Sequence, residues 1–422
     1  MTTATSYDVA AVHRRTVATL VAAQAVGAIG ITIGVATASL LAREVSGSES
    51  QAGLAQTTQV LGAALAAYGL ARLMSTRGRR AGQVTGLLVG AGGAVLAVVA
   101  GVLDSMALLL VGTALLGFTS AANAAARYAA TDLAPTGSRA RSLSLVVWAT
   151  TAGAVLGPNL SGASGVLALR LGIPELTGPF AVAAIGMTLA AAIVAILMRP
   201  DPLLVARAVA GAADTPPSGT SWGRAVAALR ASPPLLAAVL GLASAHAVMV
   251  SVMIMTPLHM EHGGAELRVI GFVISVHVLG MFAFSPVVGW LADRWGRSTM
   301  LLTGAVLQLV SLFLAGSSPE GSSWEIFAGL FLLGLGWSCA TVAASATVAD
   351  LAPLDSRTDV QGIADMGMWL TAAAGGGLSG LVVAAWGYPG LNGFAALLCG
   401  GVVLAGVVTS RAEPRHAGPA YD

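Results

Sequence analysis

Twelve long apolar runs separated by short polar turns dominate this chain, at about 16–43, 51–74, 83–103, 105–130, 141–168, 177–198, 233–259, 269–291, 299–316, 325–349, 360–384 and 390–410. A helix needs about 20 residues to cross a hydrocarbon core of roughly 30 Å, so each run is close to one crossing. Within a bilayer, backbone groups must be satisfied by the protein itself, which leaves helices or the strands of a closed barrel. A lipid-facing strand alternates apolar and polar positions. These runs do not alternate, and helices are predicted. The chain is 56% hydrophobic and only 9% charged, with mean hydropathy +0.82, too little polar surface to wrap a soluble core. The N-terminal stretch MTTATSYDVAAVHRRTVATL shows no signal-type cleavage site, so the first span is expected to be retained.

Arginine placement sets the expected orientation. With the N-terminus in the cytoplasm, all but a few of the arginines fall at the inner face. Only Arg43, Arg170 and Arg268 lie outside, together with Glu44, Glu49, Asp104, Glu175, Glu261, Glu266, Glu320 and Glu325. A multi-pass protein of the plasma membrane with both termini cytoplasmic is expected. Between spans 6 and 7, SWGRAVAALRAS reads either as a short helix lying on the membrane, with Trp222, Val226 and Leu229 down and Arg224 up, or as part of a disordered linker.

The two halves repeat at one ungapped offset. Gly78 and Gly296, Thr85 and Thr303, the DLAP segments beginning at Asp132 and Asp350, Arg139 and Arg357, and the LSG segments beginning at Leu160 and Leu378 all stand 218 residues apart. The offset joins span 2 to span 8, span 4 to span 10 and span 5 to span 11. The expected architecture is therefore an all-α membrane protein of twelve transmembrane helices in two pseudo-symmetric six-helix bundles, residues 1–198 and 233–422, joined by a cytoplasmic loop at 199–232. Two facing repeats with a site near the midplane are the general plan of secondary transporters.

The turn between spans 8 and 9 reads GWLADRWGR (289–297). Gly289 and Gly296 permit a tight turn and close helix approach. Asp293 can face the positive end of a neighbouring helix. Arg294 and Arg297 can bind carboxylates or inner-leaflet lipid phosphates, with Asp350 the obvious acidic partner. The first-half copy, ARLMSTRGRR (71–80), keeps Gly78 and Arg79 but has Ser75 in the place of Asp293. With Asp132 as the counterpart of Asp350, the two turns read as unequal latches, the first the weaker, or as solvated positive-inside turns. In span 5, GAVLGPNLSG (153–162) contains Pro158, which removes a backbone hydrogen bond and bends a helix. Gly153 and Gly157 share a close-packing face, and Gly162 ends the motif.

These motifs resemble the major facilitator superfamily over nearly the whole chain. GWLADRWGR is similar to its loop signature GxLaDRxGRR, and GAVLGPNLSG resembles the GxxxGPxxGG signature of drug/proton antiporters, which is associated with export. The resemblance implies an alternating-access carrier with a central cavity. Two positions depart from it: span 1 offers Gln24 where an acid often stands, and Thr113 occupies the slot of an arginine in span 4.

Ionisable groups within a membrane are functional candidates by default. Asp365 in span 11, His246 in span 7, His277 in span 8 and Arg127 in span 4 are the candidates for coupling to protons. Two have a plainer reading: His277 as hydrogen-bonded to a neighbouring backbone or serine, Asp365 as a cap or as the partner of Arg127 across the halves. Gln24, Asn123, Trp148, Asn159, Trp337 and Trp369 are the candidate cavity lining, which suits a hydrophobic or weakly polar small molecule. The methionines of MVSVMIMTPLHMEH (249–262) suit an adaptable wall more than a soft-metal route. Cys339 and Cys399 fall inside apolar runs and suggest neither disulfide nor metal. No nucleophile–base set, phosphate loop or ligand spacing points to an enzyme, a metal or a cofactor, and a net charge of +2 suggests no nucleic-acid partner. The expected function is proton-coupled efflux of small hydrophobic compounds by a monomer in the lipid bilayer. The alternatives are metabolite uptake, lipid translocation or a non-transporting sensor.

Overall fold

The computed structural model describes residues 7–48, 51–211 and 219–412. Six helices form the first half: α1 (Val9–Ser46), α2 (Ala52–Arg77), α3 (Arg79–Val102), α4 (Met106–Ala129), α5 (Arg139–Arg170) and α6 (Gly178–Leu197). Two short helices follow, α7 (Pro202–Val209) and α8 (Ser221–Ala231). The second half comprises α9 (Pro233–His262), α10 (Leu267–Phe282), α11 (Ser285–Trp295), α12 (Arg297–Ser317), α13 (Trp324–Leu351) and α14 (Arg357–Ser410). The eighth span is divided between α10 and α11. The last two spans run on as α14, broken at Gly387 where the backbone leaves the helical region.

Among the described residues, ten helical segments are long and apolar enough to cross a membrane, with the two spans of α14 counted as one. The remaining span, α2, is diluted by the polar turn 56–59, part of which faces inward: Gln59 is buried, and Thr58 meets Thr113 of α4 at 2.7 Å. Chain ends of the helices are held by side-chain caps. Asp8 accepts from Ala11 N, Ser105 from Leu108 N, Ser232 from Leu235 N and Ser323 from Ile326 N. The turns α2–α3 and α11–α12 both depend on a glycine at positive φ, Gly78 at 86° and Gly296 at 96°, a region other residues avoid.

Apolar side chains cover both surfaces of the bundle. Leu65, Phe313 and Leu397 are at least 74% exposed, as a lipid-facing wall requires, while small residues dominate the interior of each half. The halves meet along α2 against α14 and α5 against α11, whereas α1 and α9 make at most marginal contact among the described residues. At each crossing one partner is a glycine. Gly289 of α11 lies against Ala140 and Ser144 of α5, and Gly362 of α14 lies against Ala67 and Ala71 of α2. Ala71 is the repeat counterpart of Gly289, and Ser144 that of Gly362. The two crossings are thus images of each other, but the glycine has changed helix.

Helix α8 forms as one of the two readings expected, yet it does not lie free on a membrane with Arg224 upward. It packs on α14 through Ser221, Ala225 and Leu229. Arg224 turns inward to Asp359 at 2.6 Å, and Trp222 meets Tyr68 of α2 edge-on, with ring centroids 6.3 Å apart. The reason is charge: the Asp359 side chain is fully enclosed, and an enclosed carboxylate needs a counter-ion.

Candidate functional site

The end of the bundle carrying the two glycine turns, here the motif end, is closed by two ion triads related by the repeat. In the first, Asp132 binds Arg79 (2.8 and 3.1 Å) and faces Arg357 at 4.0 Å. In the second, Asp350 binds Arg297 at 3.1 Å and Arg139 at 2.9 Å. Each acid sits at the end of α4 or α13 and grips one arginine from its own half's turn and one from the start of the other half's fifth helix. The first triad is the more enclosed, with Arg79 and Asp132 side chains at 1% and 0% exposure against 14% and 20% for Arg297 and Asp350. Arg79 also donates to Gln361 Oε1 at 2.7 Å.

Asp293 adds a contact that its counterpart lacks. It accepts from the backbone N–H groups of Ala140 and Arg141 at 3.2 and 2.8 Å and from Arg297 at 3.0 Å. It therefore caps α5 across the interface, where helix dipole and free N–H groups favour a negative charge. Ser75 instead donates to Arg72 O of its own helix. The free ends of that turn are taken by α7: Asp201 accepts from Arg80 N at 2.7 Å, and Arg207 donates to Ser75 O at 2.7 Å. The turns are unequal in the way they are held, and the first is not the less enclosed. Arg294 stays outside both clusters, exposed and over the Trp290 ring at 5.3 Å. Asp293→Asn is expected to lower transport more than Ser75→Ala. Asparagine lacks the charge for both the N–H cap and Arg297, whereas Ser75 makes only a bond within its own helix; equal rates for the two variants in a transport assay would count against the asymmetry.

Above the triads, Arg127 of α4 reaches across to Asp365 of α14 in an ion pair with side chains 6% and 3% exposed. Arg127 also donates to Ser345 Oγ of α13 at 3.0 Å, to Ala124 O at 2.6 Å and to Tyr128 Oη at 3.3 Å. The structure thus joins two of the coupling candidates in the pairing across the halves that is one plainer reading of Asp365. A cavity of about 10 Å³ between Arg79, Gln361 and Asp365 has room for about one water.

Along α14 the residues Arg357, Gln361, Asp365 and Trp369 recur every four positions and so share a stripe. The first three meet Asp132, Arg79 and Arg127 of the first half. Trp369 packs against apolar clusters of both halves, and its indole N–H has no partner. It is joined by His246 of α9, whose ring stands edge-on at 5.6 Å, and by Trp337 of α13, whose Nε1–H donates to His246 Nδ1 at 2.9 Å. Phe282 completes the group against Trp337 at 5.7 Å.

The other candidates lie apart from this group. His277 is enclosed between α10 and α13 and donates through Nδ1 to Leu330 O at 2.8 Å, the plainer of its two readings. Gln24 donates to Thr150 Oγ1 at 3.0 Å between α1 and α5, and Asn123 is half-buried near Gly27. Trp148 is 45% exposed on α5. Gly153 lies against Ala28 of α1, while Gly162 faces open space and belongs to no close-packing face. The side chains of Pro158 and Asn159 are outside the described residues; the helix itself runs unbroken from Arg139 to Arg170. Gln361, Ser345, Arg139 and Arg357 had been given no role. A signal existed for two of them, since Arg139 and Arg357 are a repeated pair in a chain with few charges.

The family model for the Major Facilitator Superfamily matches residues 18–267 and 260–420. This chain is a major facilitator superfamily transporter. It is 35% identical over 391 residues to the MFS-type transporter YdeG of Bacillus subtilis, covering 93% of this chain and 90% of the relative. It is 30% identical over 380 residues to the riboflavin transporter RfnT of Brucella anthropi, covering 90% and 92%. Its fold is similar to the crystal structure of the human organic anion transporter MFSD10, with TM-score 0.70 and 16% identity over 94% of this chain and 99% of the other. As a superfamily member it is a multi-pass membrane transporter built from two six-helix bundles, and its relatives are carriers and not enzymes.

Proposed function

We propose that this transporter is a proton-coupled exporter of small, largely hydrophobic organic compounds. It works as a monomer in the plasma membrane, with the motif end and both termini cytoplasmic. The arginine distribution supports that orientation. The bundles at 1–198 and 233–422 rock about the midplane, and 199–232 links them.

The ion pair of Arg127 with Asp365 carries the reading. The two groups belong to different halves, so opening the motif end must part them. Parting an enclosed pair leaves two uncompensated charges and is strongly unfavourable. Protonating Asp365 removes one charge and the attraction together, so a proton on this carboxyl favours the open motif end. Proton loss to the cytoplasm restores the attraction and favours closure. Cargo taken up at the open motif end then leaves on the far side as the pair re-forms. The small cavity beside Asp365 offers a water position for proton transfer. The span 5 signature favours export. The 30% identity to a riboflavin transporter favours a second reading, proton-linked uptake of a planar heteroaromatic metabolite.

Proteoliposomes separate the two. An acid lumen is expected to drive a neutral lipophilic dye inward, against the protons leaving, as antiport requires. Accumulation of riboflavin driven by an acid exterior would support the uptake reading instead. In either case Asp365→Asn is expected to lose gradient-driven accumulation while substrate exchange continues. If the variant responds to the gradient as the wild type does, Asp365 is not the coupling site.

A further inference from the structure

We propose that His246 and Trp369 form a paired hydrogen-bond donor site that selects an uncharged, planar aromatic cargo with a carbonyl or ring-nitrogen acceptor on its edge. The proposal rests on the carrier reading above and names the class of cargo that its central site takes.

The tautomer of His246 follows from one bond. Trp337 Nε1–H can only donate, and it donates to His246 Nδ1 at 2.9 Å. Nδ1 is therefore unprotonated, the ring is neutral, and its single proton sits on Nε2. Trp337 is thus a positioning residue: it holds the imidazole so that the opposite edge is a donor. No hydrogen bond to another described residue reaches that edge, and His246 keeps 7% exposure. The same bond opposes a proton-carrying role for His246, since a doubly protonated ring could not accept from Trp337.

Trp369 supplies the second donor. Its Nε1–H is enclosed without an acceptor, a state that costs free energy unless something fills it. The two rings lie 5.6 Å apart at 81°, and in the proposed complex one edge of the ligand meets both donors. Trp369 stands 12 residues beyond Arg357 on the same stripe, or about 18 Å along the helix, which places it near the middle of a core roughly 30 Å thick. The lower positions of the stripe are engaged by Asp132, Arg79 and Arg127. Arg357 Nε and Gln361 Nε2 are also without a partner among the described residues, but they belong to side chains already engaged at the motif end, whereas Trp369 stands above that end with its single donor free. Phe282 and Trp337 supply the flat apolar walls. Two donors, aromatic walls and no carboxylate in the group favour an acceptor-edged ring and disfavour a planar cation whose edge offers only donors.

Direct binding to the purified full-length protein in detergent tests this without any gradient. Lumichrome, a neutral tricyclic ring with carbonyl and ring-nitrogen acceptors, is one probe. Ethidium, a planar cation with amino donors and no carbonyl, is the other. Lumichrome is expected to bind the more tightly. Trp369→Phe, which keeps a ring and deletes the N–H, is expected to weaken lumichrome about five- to tenfold and leave ethidium unchanged. His246→Phe is expected to do the same, His246→Gln to keep more of the affinity by retaining a donor, and Trp337→Phe to weaken lumichrome selectively by releasing the tautomer. Tighter binding of ethidium, no binding of lumichrome by the wild type, or full affinity in Trp369→Phe would each overturn the proposal. Loss of gradient response in Asp365→Asn with intact lumichrome binding separates the coupling reading from this one.

Discussion

Replacing Arg127 with leucine while Asp365 remains is expected to destabilise the transporter by about 3–5 kcal/mol, because it strands an enclosed carboxylate. The partners are 6% and 3% exposed, and water has little access to compensate. The double variant Arg127→Leu/Asp365→Leu is expected to regain most of that loss, since two apolar side chains of suitable volume leave nothing unpaired. It is also expected to show no gradient-driven transport, because the proton site has gone. Thermal unfolding of the wild type, the two single leucine variants and the double variant in detergent, read beside transport in proteoliposomes, closes the cycle. An Arg127→Leu variant as stable as the wild type would mean that Asp365 is satisfied elsewhere and that the pair does not hold the halves together.

The second large effect is steric. A side chain at Gly289 would run into Ala140 O, at 2.6 Å from its first carbon, and into Ser144 of α5. Backbone cannot swing aside as a long side chain does. Overpacking of a close contact costs about 1–3 kcal/mol, and each 1.4 kcal/mol is roughly tenfold in population. Gly289→Val is therefore expected to shift the conformational balance by about tenfold or more away from the closed motif end and to depress transport to match. A reporter cysteine at Thr358, enclosed in the wild type, is expected to react faster with a water-soluble maleimide in the Gly289→Val background. Gly362→Val, at the mirrored crossing, is expected to act in the same direction. Unchanged labelling in both would show that neither crossing limits closure.

Much of this architecture was legible because lipid imposes long uninterrupted apolar runs, and because duplication left the 218-residue offset in view. Contacts between the halves were much less so. In a soluble protein, polarity marks the outer face of a helix; here Leu65 and Leu397 face outward as readily as Leu41 and Leu391 face inward. Composition along a span therefore says little about its rotation, and rotation decides who meets whom. Arg294 illustrates this: it stands within the loop signature, yet the helix turns it outward onto Trp290, while Arg297, three residues on, enters the triad. Arg224 illustrates the opposite error, since an arginine drawn toward solvent in the sequence is pulled in by Asp359. Polar residues inside spans were the better guide. His246, Trp337 and Trp369 were all named as candidates, and they do gather; their mutual bonds depend on three helices that no local pattern relates.

The bond from Arg127 to Ser345 joins two positions 218 residues apart, so a position here touches its own image. Were the carrier assembled from two copies of one six-helix chain, whatever residue stood there would confront itself, and arginine would face arginine in a medium that cannot screen them. The image of Asp365 is Val147, so the acid, too, exists once. A single fused chain permits one cation and one anion on an axis where a homodimer would have to place each of them twice.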